Sequence, residues 1–190
     1  MTEIGDYIFF YGHDWPSNFA PAQIKDRDMM YQKALFDNGP EYITYKDSET
    51  YYQAYKAYIM GDRENYYRII DSPTPAQAKK LSRNVNLNKN QWDSCRDVIM
   101  YSILRKKFEQ NPDLMKLLLD EKYDNKIFVE ASPTDMYWGI GFSEAQLKDY
   151  IDHNGINPMD DPAVEKGKNM LGKLLNELRK TLILAKKIEG

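Results

Sequence analysis

The stretch DSETYYQAYKAYIMGD, Asp47 to Asp62, has helical spacing but no ordinary apolar stripe. At about 100° per residue, Glu49, Gln53, Lys56 and Met60 fall on one side, while Tyr51, Tyr55 and Tyr58 gather on the other. Ala54 and Ala57 lie between the two stripes. An acid, an amide and an amine in one row admit two readings. Most charged helical stripes face water, with the opposite face packed inward. Alternatively, the tyrosines line a partly wet core and the polar row lines a cleft.

Outward from this helix, YIFFY (Tyr7–Tyr11), EYITY (Glu41–Tyr45) and KIFVEAS (Lys126–Ser132) read as strands. Gln23 to Pro40 reads as irregular, closing on a DNGP turn. Arg63 to Ile70 reads as a short helix, and so does SEAQLKDYI. Thr74-Pro75, Asn111-Pro112 and Asp161-Pro162 each place a cap before a proline and predict helix starts. Asn90 with Asp93 predicts a capping-box start for a long helix over 91–110. The last helix, 163–188, carries leucines at helical spacing. The expected fold is α+β and predominantly helical: a single domain over residues 1–190, with about eight helices around a small sheet.

The bulk properties narrow the function. The chain has 190 residues, 42% hydrophobic and 29% charged, with a net charge of −3. That suits one folded domain and argues against a surface that coats nucleic acid. No apolar run is long enough to span a bilayer, and no signal peptide is evident. The single cysteine, Cys95, excludes an internal disulfide and suggests a reducing, cytoplasmic setting. His13 and His153 lie far apart and, with one cysteine, build no common zinc site. Chemistry, if present, rests on carboxylates, amines and aromatics.

Three further stretches stand out. In VEASPTDMYWGIGFSE, Glu130 ends a strand, Asp135 follows a proline turn, and Trp138 precedes Gly139-Ile140-Gly141. Such a loop can bind a ligand, with Trp138 stacking on a base, or can be a structural turn with Trp138 as a core plug. In EKGKNMLGKLL, Gly167 and Gly172 interrupt a helix, at about 1 kcal/mol each relative to Ala; close helix packing or an approaching ligand explains them. QAKKLSRNVNLNKNQWD sets Lys79, Lys80, Arg83 and Lys89 before Trp92, as either a phosphate-and-base site or a solvated amphipathic helix.

Taken in order, FFYGHDWPSNFAPA, SETYYQAYKA, PAQAKKLSRNV, WDSCRDVIM, VEASPTDMYWGIG and GKNMLGKLL resemble the NADAR family of YbiA-like N-glycosidases over nearly the whole chain. The most specific parts are S-E-x-Y-x-Q-A-x-K, D-x-x-W-G-x-G and G-K-N-x-L-G. The resemblance implies hydrolysis of an N-glycosidic bond to ribose. The substrate is then a ribosylamino-pyrimidine phosphate of riboflavin synthesis or ADP-ribose on guanine, free or in nucleic acid. Ile140, where riboflavin-type members tend to carry an acid, and the long Phe142–Lys166 segment fit the broader group better.

With that chemistry, Glu49 is the first candidate to stabilise charge at ribose C1 or to activate water. Lys56 is a candidate amine nucleophile forming a Schiff base, which requires it to be neutral; an ion pair with Glu49 would compete. Asp135 completes the candidate catalytic set, with Glu130 as the other acid near the leaving base. Gln53 would bind sugar hydroxyls or position water. Asn18, Arg83, Lys168 and Asn169 are candidate phosphate or ribose contacts. Trp92, Trp138 and the Gly139 backbone are candidate base contacts. No cofactor or metal is required, though Mg²⁺ could accompany a diphosphate. The expected partner is a ribose-phosphate or ADP-ribose compound, with no membrane. The alternatives are a non-catalytic ADP-ribose or nucleotide binder and a purely structural helical protein.

Overall fold

A computed structural model describes residues 1–30 and 42–189. The DNGP turn and Glu41 lie outside the described residues. Residues 1–17 with 118–190 form one compact unit, and residues 18–117 form a second. Among the described residues there are seven α-helices, two short 3-10 turns and five strands, so the expected helix-rich α+β class holds.

In the first unit, β1 (Thr2–Ile4) pairs antiparallel with β2 (Tyr7–Phe10). β2 pairs parallel with β5 (Ile127–Glu130). Phe9 and Val129 from this sheet, with Ala131 just past β5, meet Ile140 and Leu147 in a buried cluster. Leu147 comes from α6 (Glu144–Asn154), which starts with a full capping box between Ser143 and Gln146. Helix α7 (Met170–Glu189) packs on β5. Its register matches the strand edge. Asn169, just ahead of the helix, accepts from Glu130 N at 3.0 Å and donates to Phe128 O at 3.0 Å. Asn176, two turns on, accepts from Phe128 N at 3.2 Å. Two side-chain amides thus satisfy part of the β5 edge that another strand would otherwise cover.

Asp161-Pro162 does not open this helix, contrary to expectation. Asp161 Oδ1 instead accepts from Ala163 N at 2.8 Å, closing a local turn. Residues 167–171 then donate backbone bonds to Ile140, Met136, Gly139, Tyr137 and Trp138. Backbone engaged with a distant loop cannot also form a helical ladder, and α7 waits until Met170. Gly167 and Gly172 take the close-packing explanation. A Cβ on Gly167 would run into the backbone of Gly139 and Met136, and one on Gly172 into Phe128 O.

The second unit opens with β3 (Pro21–Arg27), antiparallel to β4 (Tyr42–Asp47), with an irregularity between Pro21 and Ile24. β3 corrects the irregular reading of Gln23 onward. Ala22 and Ile24 are buried while Gln23 and Lys25 are exposed, the alternation of a one-sided strand. β4 runs into α1 (Ser48–Ile59), where Asp47 caps the helix by accepting from Thr50 N at 2.6 Å. Gly61, at φ +69°, follows its C-terminus. α2 (Arg63–Ile70), α3 (Pro75–Leu81) and α4 (Lys89–Glu109) all pack against α1. Thr74 caps α3 as expected. α4 is capped by Asn88, which accepts from Gln91 N at 3.2 Å, and not by Asn90. α5 (Pro112–Leu118) follows.

Candidate active site

Helix α1 settles its own ambiguity: over Ser48–Ala54 it is buried on both long faces. On the tyrosine side, Tyr51 stacks flat on Tyr45 at 4.0 Å, and the Tyr45 and Tyr66 hydroxyls meet at 3.0 Å. The Tyr51 hydroxyl donates to Asp26, which also pairs with Lys106. This face is the partly polar core. On the other side, Glu49 is 5% exposed and Gln53 4%. The polar row therefore does not face water, and burying a carboxylate beside an amide and an amine is costly unless function requires it.

Each group has identifiable neighbours. Glu49 N donates to Asn18 O at 3.0 Å, fixing the start of the row. Gln53 Nε2 donates to Glu49 Oε1 at 2.8 Å. Lys56 is half-buried; its Nζ lies 3.5 Å from Ser82 Oγ and 5.6 Å from the Trp92 ring centre. Trp92 is buried and tilts against Tyr52 at 5.0 Å. Ser82 Oγ donates in turn to Lys79 O at 2.9 Å, and Lys79 Nζ lies 6.0 Å from the Phe19 ring centre.

Burial pushes the Glu49 carboxyl above its ordinary value, opposed chiefly by the Lys79 charge and then by the Gln53 hydrogen bond. Burial likewise pushes the Lys56 amine down, opposed by Glu49 and reinforced by Lys79. Both directions favour the uncharged forms and bring the acid and the amine closer in proton affinity. That is what an acid–base pair needs.

Of the candidates read from the sequence, Asn18, Glu49, Gln53, Lys56 and Trp92 gather here. Arg83 lines a cavity of about 450 Å³ with Gln77, Lys80, Leu81 and Asn84. Lys79 and Ser82 are additions. The sequence reading put Lys79 in a basic cluster as either a phosphate-and-base site or a solvated face, and its spacing of three from Ser82 already placed both on one helical face.

The other candidates belong to the first unit. Asp135 Oδ1 accepts from Tyr137 N at 2.9 Å and Trp138 N at 2.8 Å, shaping the turn. Trp138 is half-buried with its ring 5.2 Å from that of Tyr137, edge to face. Lys168 Nζ lies 5.0 Å from the Tyr137 ring centre. Gly139 is buried, and a Cβ there would sit 2.8 Å from Ser132 Cβ and 2.9 Å from Glu130 O. Asn169 spends its amide on the β5 backbone. Glu130, half-buried, ends that strand. Among the described residues, no group of three or more His, Cys, Asp or Glu side chains is placed to hold a metal ion. No described helix is long and apolar enough to cross a membrane.

A helix-rich α+β scaffold that buries an acid and an amide in line with a half-buried amine carries groups suited to acid–base chemistry. The chain belongs to the NADAR family, whose NADAR domain model matches residues 9–183. It is similar to N-glycosidase R617 of Acanthamoeba polyphaga mimivirus, 35% identical over 178 residues, covering 93% of this chain and 96% of that protein. It is 36% identical over 143 residues to N-glycosidase YbiA of Escherichia coli, covering 75% and 74%. The NMR structure of E. coli YbiA superposes with a TM-score of 0.63 at 30% identity, covering 97% of this chain and 89% of that one. The maize chloroplastic riboflavin biosynthesis protein PYRR is 28% identical over 176 residues, of which this chain spans 23%. The chain is a hydrolase acting on N-glycosyl compounds.

Proposed function

We propose that the chain cleaves the bond between a nucleobase or aminopyrimidine nitrogen and ribose C1, in an ADP-ribosyl or ribose-phosphate substrate. Removal of ADP-ribose from guanine and cleavage of a ribosylamino-pyrimidine phosphate are the two leading forms. The observation that carries this reading is the burial of Glu49 and Gln53 in one helical row with the half-buried Lys56. A solvated stripe would implicate nothing, whereas a buried acid beside a half-buried amine is costly unless it is used.

Two routes use the Glu49–Lys56 pair, one for each of its protonation forms. With the pair in its uncharged form, Glu49 holds a proton and Lys56 is a free amine. Lys56 Nζ bonds to C1 as the C1–N bond to the base breaks, and the Glu49 proton goes to the departing nitrogen. The new ammonium returns a proton to Glu49. The sugar ring opens to an imine, water adds at C1, and the C1–Nζ bond breaks to release the sugar. Gln53 orients Glu49 throughout. In the charged form of the pair, Glu49 instead takes a proton from an attacking water while Lys56 protonates the base.

The test is chromatographic. ADP-ribosylated guanine in a short single strand and a ribosylamino-pyrimidine phosphate are each incubated with the protein. Release of unmodified strand, of free pyrimidine, or of both identifies the substrate. A ligand that raises the melting temperature without turnover would favour the non-catalytic binder instead.

A further inference from the structure

Two buried acceptors beside the row are not accounted for by this chemistry. Gln53 Nε2 is committed to Glu49, which leaves Gln53 Oε1 as an acceptor with no hydrogen-bond partner among the described residues. Asn18 Oδ1 is in the same position, and its residue is 5% exposed. Asn18 is tied to the same site, because its carbonyl accepts from Glu49 N. Buried acceptors without donors are costly, and two of them on residues hydrogen-bonded to Glu49 mark places where a ligand supplies the donors.

From this geometry we infer that Gln53 Oε1 and Asn18 Oδ1 accept from the two neighbouring ring hydroxyls of the sugar, so that the site selects ribose over 2-deoxyribose. The inference rests on the proposed function for the placement of C1. Gln53 lies between Glu49 and Lys56 along α1, about one turn from each. Whichever of the two addresses C1, an acceptor between them meets the substituent on the adjacent carbon, the 2-hydroxyl. Asn18, at the Glu49 end, then takes the 3-hydroxyl. Charge developing at C1 makes the 2-hydroxyl a stronger donor, so this bond tightens in the transition state. A sugar lacking it leaves Gln53 Oε1 unpaired at that moment. A site built to bind a hydroxyl rejects the analogue without it far more strongly than an apolar pocket rejects a missing methylene.

Two measurements test this on the full chain. The first compares kcat/KM for a ribosylamino-pyrimidine phosphate and its 2-deoxyribosyl counterpart. Wild type should favour the ribosyl compound by about 100-fold or more. Gln53→Met should lower turnover of both compounds, because it also releases Glu49, but should lower the ribosyl compound much further and bring the two within about threefold. A role limited to holding Glu49 would lower both equally and leave the ratio intact. Gln53→Asn, which keeps the amide but withdraws it by one carbon, serves if Gln53→Met does not fold. The second measures binding of ribose 5-phosphate against 2-deoxyribose 5-phosphate by calorimetry, which needs no turnover. Preference for ribose 5-phosphate with no cleavage of either the ribosylamino-pyrimidine phosphate or ADP-ribosylated guanine would sink the glycosidase reading and support this one. Equal turnover of both substrates would sink this inference while the glycosidase reading stands. Equal binding, or no binding, of the two sugar phosphates without turnover overturns it as well.

Discussion

Lys107 offers a test of the packing that supports α1. Its side chain is fully buried, at 0% exposure, in the unit that carries Glu49. Burial pushes its amine from an ordinary 10.5 down to about 7, against the opposing pull of Asp47, the residue that caps α1. Between pH 7 and 10.5 the unfolded chain holds a proton that the folded chain has released. Raising the pH through this window therefore stabilises the fold, by at most about 1.4 kcal/mol per pH unit and about 5 kcal/mol in total. Lys107→Met removes the titration while keeping most of the apolar stem. In urea unfolding at pH 6 to 10, the variant should have its largest advantage at pH 6, and that advantage should shrink steadily above pH 7. Subtracting the two curves cancels the titration of the buried tyrosines, which both proteins share. A stability difference that stays constant from pH 6 to 10 would refute the reasoning.

Other consequences follow from the same structure. Gly172→Ala gains up to about 1 kcal/mol of helix propensity but drives a Cβ into Phe128 O; a net loss of about 2–4 kcal/mol, seen as a melting point lower by about 4–16 °C, is expected. Asn169→Ala leaves Glu130 N and Phe128 O without their amide partner and should cost about 2 kcal/mol by urea unfolding. Borohydride added during turnover should trap a sugar adduct on Lys56, visible as a mass increase on its peptide; turnover with no adduct would assign catalysis to the water route.

Much of this was legible in the residues, and the failures have physical causes. The periodicity of Ser48 to Ile59 fixed which side chains share a face of α1. It could not say that both faces are buried, because burial of Glu49 and Gln53 depends on α3, α4 and the Asn18 segment packing around them. β3 was missed although Ala22 and Ile24 alternate with Gln23 and Lys25, since two small or single apolar residues among charges make a weak strand signal. The start of α7 was misplaced because Asp161-Pro162 is as good a turn signal as a helix signal. The backbone bonds of residues 167–171 to residues 136–140, which decide the matter, are non-local. Asn169 shows the same limit: its amide suits a phosphate or a strand edge, and only the position of β5 shows which bonds it makes.

The most direct measurement compares base release by wild type and Glu49→Gln on whichever N-glycosyl substrate the chromatographic test identifies, with melting temperatures taken alongside. Because burial already disfavours the Glu49 charge, the amide should fold as stably as wild type or more so. Base release should nevertheless fall by about 10²–10⁴-fold. A variant that melts like wild type and still releases base within a few-fold of its rate would contradict the assignment of Glu49, and with it the active site built on α1.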